Sequence, residues 1–222
     1  MTVASFAVND ESAPQSVALL TSDGLTLEAQ LAVPADPRAV IVLCHPHPAH
    51  GGTMTSLLTS ELFRTLPIMG YATLRFNFRG VGKSQGVHDN GIAERNDIEA
   101  AVNFAYEKFP TKCLALSGWS FGGDTSLAVT NEHISLWIPC APTLRIVPAE
   151  ELGAAAGSDP RPKHLIVPEH DEFRDPQSAR EATANWRNTT VTDVAGADHF
   201  FVGRTNKAAE LIDQFIVSFL AD

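Results

Sequence analysis

Short apolar runs are spaced along this chain, and each run predicts a strand. Residues 17–20 and 25–33 flank Ser22-Asp23-Gly24, and an Asp-Gly pair between two such runs predicts a hairpin. The run Ala39–Cys44 is apolar throughout, which is typical of a strand buried on both faces of a sheet. Later strands are predicted at residues 71–78, 113–116, 135–139, 165–167 and 191–194.

Between these runs, apolar residues recur at helical spacing. The C-terminal segment has the clearest pattern, with polar residues opposite Ala208, Leu211, Ile212, Phe215, Ile216 and Phe219. Helices are also predicted within residues 54–66 and around residues 98–105. Alternating strands and helices predict an α/β fold, with a mostly parallel twisted sheet covered by helices on both faces.

The length of the chain favours a single domain over residues 1–222. The stretch 143–163, between the strands predicted at residues 135–139 and 165–167, has room for a short helix and loops. We therefore expect no cap domain, and we expect this stretch to form a wall of a pocket.

The chain is acidic, with a formal net charge of −10 and a pI of about 5.2. This charge argues against nucleic acid or an anionic membrane as a partner. Residues 1–15 carry neither a basic start nor a long apolar run, so we expect no secretion signal or anchor and a cytoplasmic location. Cys44, Cys113 and Cys140 are an odd number of cysteines in apolar surroundings, which predicts buried free thiols.

The pentapeptide Gly118-Trp119-Ser120-Phe121-Gly122 follows an apolar run and predicts a strand that turns sharply into a helix. Small residues are needed at both ends of this turn, because side chains there would collide with the strand and the helix. The turn would hold Ser120 out of the sheet as a nucleophile. This pattern is the nucleophile elbow.

A serine hydroxyl requires a histidine base and an acid that orients the base. His199 lies in the predicted loop before the final helix, and we interpret it as the base. The acid is expected in the loop after residues 165–167, where Asp171 is favoured. Glu169, Glu172 and Asp175 remain alternatives.

These motifs together make the chain similar, nearly end to end, to small uncapped alpha/beta-hydrolases related to the dienelactone hydrolases. The segments that carry the resemblance are His45-Pro46-His47-Pro48, Gly51-Gly52-Thr53-Met54, residues 74–84, the elbow, Asp171-Glu172 and residues 196–201. The resemblance implies a Ser120, Asp171 and His199 triad. Pro168 departs from a position that is commonly glycine, and the serine argues against the substrate of the dienelactone hydrolases proper, which use cysteine.

Acyl transfer also needs two donors aimed at the developing oxyanion. The backbone N–H of Phe121 is predicted to be the first donor. Pro46 and Pro48 have no N–H, so either His45 or His47 can supply the second, and the resemblance favours His47. Trp119 and His45 are expected to contact the substrate. A metal site formed by His45, His47 and His50 is the alternative, but the triad requires no metal and no cofactor.

The sequence thus predicts a serine hydrolase that cleaves carboxylic esters or thioesters of small acyl groups, with a small-molecule ester as its partner. Hydrolysis of amides or peptides, and perhydrolysis, are alternatives on the same triad. A non-catalytic ligand-binding protein that keeps the hydrolase fold is the third hypothesis.

Overall fold

The computed structural model describes residues 14–110 and 112–221, and within this part eight strands form one sheet in the order β1-β2-β4-β3-β5-β6-β7-β8. The sequence-based expectation of no secretion signal or anchor concerns residues 1–15, and residues 1–13 lie outside the described part. The strands are β1 Gln15–Leu20, β2 Thr26–Ala32, β3 Ala39–Cys44, β4 Tyr71–Phe76, β5 Cys113–Gly118, β6 Leu136–Trp137, β7 Lys163–His170 and β8 Thr189–Asp198. The α-helices are α1 Leu57–Thr65, α2 Glu94–Lys108, α3 Phe121–Leu127, α4 Ala149–Leu152, α5 Pro176–Ala182 and α6 Thr205–Ala221.

The sheet is antiparallel at one edge and parallel elsewhere. β1 and β2 form the predicted hairpin, with Leu20 opposite Thr26 and with Gly24 at a φ of 87° in the turn. β2 pairs antiparallel with β4, and every pair from β4 through β3, β5, β6 and β7 to β8 is parallel. The predicted mostly parallel α/β sheet is confirmed.

Helices cover both faces of the sheet, and each face has its own hydrophobic core. Along β3, Val40 and Val42 point into the core beneath α2 and α3, whereas Ile41 and Leu43 point into the core beneath α1 and α6. This burial on both faces explains why β3 is apolar at every position. Cys44 and Cys140 are buried and Cys113 is half-buried, and all three are free thiols.

Two strands run further than their apolar cores predict. β7 continues through Pro168 to His170, with a shift of register between these two residues, and β8 continues to Asp198. Because β7 and β8 pair with each other along this extension, polar residues and a proline are accommodated in it. Conversely, the strand predicted at residues 135–139 is reduced to Leu136–Trp137, since neighbouring residues pair only through isolated bridges.

The segment between β6 and β7 forms no separate domain. It holds α4 and a helical turn at Gly153–Gly157, and Thr143 and Ile146 line a cavity at the carboxyl edge of the sheet. The fold therefore has no cap, as the sequence predicts. No helix in residues 14–110 or 112–221 is long and apolar enough to cross a membrane.

The turn from β5 into α3 has the close contacts that the glycine pattern predicts. Ser120 has φ 56° and ψ −115°, a conformation that non-glycine residues rarely adopt. A Cβ atom on Gly118 would lie 2.3 Å from the backbone of Gly122, and one on Gly122 would lie 2.5 Å from the carbonyl oxygen of Cys44. The start of α3 therefore rests against the end of β3 with no space for a side chain.

We expect Gly122→Ala to lower the free energy of unfolding by about 2–3 kcal/mol, because its methyl group would push α3 away from β3. Gly153→Ala is the matched control, since Gly153 has helical φ and ψ and open space around its Cβ position. That control should be neutral or stabilising by up to about 1 kcal/mol. Urea unfolding of both variants measures the difference. Equal stability of the two variants would contradict the close contact.

Candidate active site

A chain of hydrogen bonds joins Ser120, His199 and Asp171. The distance from His199 Nε2 to Ser120 Oγ is 3.0 Å, and that from His199 Nδ1 to Asp171 Oδ2 is 2.8 Å. Since an ionised carboxylate only accepts, Nδ1 carries the proton and Nε2 accepts from the hydroxyl of Ser120. The hydroxyl is thus placed to lose its proton to the imidazole.

The three side chains come from the carboxyl ends of three parallel strands. Ser120 follows β5, Asp171 follows β7 and His199 follows β8. In a parallel sheet these ends lie at one edge, where such folds place their ligand sites. The extension of β7 and β8 beyond their apolar cores carries Asp171 and His199 to that edge together.

Of the four candidate acids at the end of β7 and in the loop after it, the structure brings Asp171 to the histidine. Its side chain is fully buried, and Oδ1 accepts hydrogen bonds from the backbone N–H groups of Phe173 and Arg174. These contacts hold the carboxylate while Oδ2 faces His199.

The other three carboxylates have different surroundings. Glu169 accepts from the N–H of Gly196, and Asp175 caps α5 by accepting from Ser178. Glu172 is exposed.

Trp119 supports the histidine and also lines the cavity. Its indole Nε1–H donates to the carbonyl oxygen of His199 at 3.0 Å, which fixes the loop after β8. The ring of Phe173 also packs against the imidazole, with its centroid 4.5 Å away. The histidine is therefore held from the elbow and from the acid loop at once.

Two backbone N–H groups beside Ser120 have no acceptor among the described residues. One belongs to Phe121, the first residue of α3, and the other to His47 in the loop after β3. The loop that contains His47 is tightly turned, because the carbonyl oxygen of His47 accepts hydrogen bonds from the backbone N–H groups of both His50 and Gly52. A Cβ atom on Gly52 would lie 2.1 Å from the carbonyl oxygen of Pro46.

The structure corrects the expected role of His45 as a substrate contact. Its ring is fully buried, Nδ1 lies 2.6 Å from the carbonyl oxygen of Pro46, and Nε2 accepts from the N–H of Phe78. Burial lowers the pKa of His45 to about 4, so the ring is neutral. It links the end of β3 to the end of β4 and does not line the cavity.

These contacts also bear on the alternative of a metal site at His45, His47 and His50. Both ring nitrogens of His45 are engaged with the backbone, and Nδ1 of His47 accepts from Ala49. Within residues 14–110 and 112–221, no group of three or more histidine, cysteine or acidic side chains is arranged to hold a metal ion.

A cavity of about 550 Å³ opens above Ser120 and His199. This volume lies in the range that binds small organic molecules. Its walls include the apolar side chains of Leu57, Ile146, Phe173 and Phe200, together with Trp119. The lining residues that carry titratable side chains are all basic: His47, His50, Arg145 and His199.

Asp124 shapes this cavity, and the sequence pattern did not identify it. It is fully buried in α3, and its carboxylate accepts from the hydroxyl of Thr143 and from the N–H groups of Leu144, Arg145 and Ile146. The sequence did hold a signal for this residue, namely an acid four residues after the elbow serine in a helix of small and apolar residues. An acid in such a buried helix indicates buried hydrogen-bond partners.

Comparison with known proteins agrees with this fold. The chain is 27% identical over 202 residues to an uncharacterized protein of Rickettsia prowazekii, RP471, which covers 86% of this chain and 84% of that protein. An alpha-beta serine hydrolase homologue from Coxiella burnetii superposes with a TM-score of 0.77 at 29% identity, over 90% of this chain and 96% of that chain.

An α/β serine hydrolase without lid from Xanthomonas campestris gives a TM-score of 0.82 at 24% identity, over 93% of this chain and 94% of that chain. Residues 35–208 match the family described as serine aminopeptidase, S33. This segment contains β3 to β8 and all of the side chains that meet at Ser120. The chain therefore belongs to the serine aminopeptidase S33 family and is a lidless member of the α/β serine hydrolases.

Proposed function

We propose that the protein is an esterase that hydrolyses carboxylic esters or thioesters of small acyl groups through an acyl-enzyme on Ser120. The observation that carries this proposal is the Ser120–His199–Asp171 chain of hydrogen bonds at the floor of an open cavity. The two N–H groups without acceptors, at Phe121 and His47, lie on the elbow and on the neighbouring loop.

In the proposed reaction, Ser120 Oγ attacks the ester carbonyl as its proton passes to His199 Nε2. The N–H groups of Phe121 and His47 stabilise the oxyanion of the tetrahedral intermediate. Asp171 stabilises the imidazolium, which then donates its proton to the leaving alcohol or thiol. Water repeats the sequence on the acyl-enzyme and releases the acid, so the reaction uses no cofactor.

The basic lining of the cavity favours esters over the aminopeptidase substrates that the family description names. An aminopeptidase binds a substrate ammonium group, which an acidic side chain recognises best. No aspartate or glutamate is among the described residues that line the cavity, whereas Arg145 is. A free amino terminus would be repelled there. Trp119, with the aromatic residues beside it, would contact the acyl or alcohol group.

The first test is substitution of the three hydrogen-bonded residues. Ser120→Ala and His199→Ala should each lower kcat by about a million-fold, and Asp171→Asn by about ten-thousand-fold through the wrong tautomer of His199. Glu169→Gln is the matched control, because this exposed carboxylate contacts Gly196 and His170 and forms no hydrogen bond to His199 among the described residues. Hydrolysis of p-nitrophenyl acetate measures all four variants. If Glu169→Gln were inactive and Asp171→Asn active, Glu169 and not Asp171 would be the acid that orients His199.

The second test compares leaving groups. We expect p-nitrophenyl acetate to be hydrolysed with a kcat/KM at least about a thousand-fold above that for amino-acid p-nitroanilides, since no acidic side chain among the described lining residues neutralises an ammonium group. N-acetylated p-nitroanilides are the control for amide chemistry without the charge. Faster cleavage of the free aminoacyl anilides would establish an aminopeptidase in place of the esterase.

The third test concerns the size of the acyl group. The cavity is open and limited to about 550 Å³, so alkyl chains beyond it would gain little from burial at about 25 cal/mol per Å². We expect kcat/KM to peak among short p-nitrophenyl esters and to fall before palmitate, with no jump at the micellar concentration of the substrate. A steady rise to palmitate would contradict an uncapped site for small acyl groups.

A further inference from the structure

The charge of the cavity is opposite to the charge of the chain. The protein carries a formal net charge of −10, yet no carboxylate is among the described residues that line the cavity. Arg145 is the permanently charged residue of that lining, and it shares the cavity with Ser120 and His199. A small anionic group in this cavity would meet a cation and no competing acid.

The guanidinium of Arg145 has no partner in the described part of the chain. Neither an ion pair nor a hydrogen bond from its side chain is present among residues 14–110 and 112–221, and the residue is exposed to the cavity. Its five N–H donors are therefore available to a ligand. By contrast, the neighbouring Arg174 is engaged with the carbonyl oxygen of Thr143.

The backbone that carries Arg145 is held in place from beneath. The buried carboxylate of Asp124 accepts from the N–H groups of Leu144, Arg145 and Ile146 at 2.9–3.0 Å. Leu144 has a φ of 53°, a left-handed conformation that costs energy in a residue with a branched side chain. Such strain persists where the surroundings impose it, and here Asp124 imposes it. The loop thus presents Arg145 from a preorganised backbone.

We infer that Arg145 selects esters that carry a second, ionised carboxylate group, such as half-esters of small dicarboxylic acids. This inference rests on the proposed esterase function and assigns its substrate class. One guanidinium forms two parallel hydrogen bonds to one carboxylate, which matches a singly charged group. The apolar walls formed by Phe173, Phe200 and Ile146 would contact the carbon chain between the carboxylate and the ester.

The test compares two substrates of similar shape, one with a charged carboxylate and one with an apolar group at the same end. One is monomethyl glutarate, and the other is its uncharged analogue in which an isopropyl group replaces the free carboxylate. The measured quantity is the ratio of kcat/KM for the charged substrate to kcat/KM for the uncharged one. For the natural chain this ratio should be about ten or more at low salt, and it should fall as salt screens the guanidinium.

Variants at position 145 should lower this ratio more as the side chain at that position becomes less positive. Arg145→Ala should lower it about ten-fold, Arg145→Glu should lower it further, and Arg145→Lys should retain part of it. Arg64→Glu is the matched control for Arg145→Glu, since both substitutions lower the net charge by two units. Arg64 lies on the outer face of α1, where it pairs with Glu61. Its ratio should equal that of the natural chain.

The outcomes separate the two proposals. If the natural chain hydrolyses neither of these esters nor p-nitrophenyl acetate, the proposed esterase function fails. If it hydrolyses p-nitrophenyl acetate but neither of these esters, the inference about Arg145 fails while the esterase stands. If it hydrolyses the uncharged ester at an equal or higher rate, the inference about Arg145 fails while the esterase stands. Equal loss of both activities in Arg145→Ala, with an unchanged ratio, would also overturn the inference, because it would show a structural role for the side chain.

Discussion

The contact between the start of α3 and the end of β3 sets where Ser120 lies relative to the loop that contains His47. Gly122 touches the carbonyl oxygens of Cys44 and His45, and a Cβ atom there would come within 2.5 Å and 2.6 Å of them. The N–H of Trp119 donates to the same Cys44 carbonyl. This contact sets the elbow beside the loop after β3. It is therefore the reason that the N–H groups of Phe121 and His47 lie on neighbouring segments.

Two buried carboxylates hold the loops around this elbow. Asp171 accepts from two backbone N–H groups of its own loop and orients His199 with its remaining oxygen. Asp124 accepts from three backbone N–H groups of the loop that contains Arg145. Charge-assisted bonds of this kind are stronger than neutral ones, and burial makes them costly to break. One carboxylate thus supports the proposed chemistry, and the other shapes the cavity wall.

The absence of a cap gives the remaining loops a larger role. In the described part of the chain, the segment between β6 and β7 contributes Thr143, Arg145 and Ile146 to the cavity, while the loops after β7 and β8 contribute Phe173 and Phe200. These loops follow the carboxyl ends of the parallel strands β6, β7 and β8. Selectivity in such a site depends on individual side chains at the rim, because no second layer closes over the substrate.

The amino-acid sequence by itself determined the features that depend on local backbone sterics and on periodicity. The α/β sheet, the hairpin at Gly24 and the elbow at Ser120 follow from the spacing of apolar residues and glycines, as does the position of His199 after the last strand. Tertiary structure decided which groups meet across distant segments. Asp171 was one of four candidates until pairing of β7 with β8 brought it within 2.8 Å of His199. His45 is excluded from the cavity by a bond to Phe78, and Arg145 enters it because Asp124 holds its loop. Such contacts join residues far apart in the chain, and no local pattern records them.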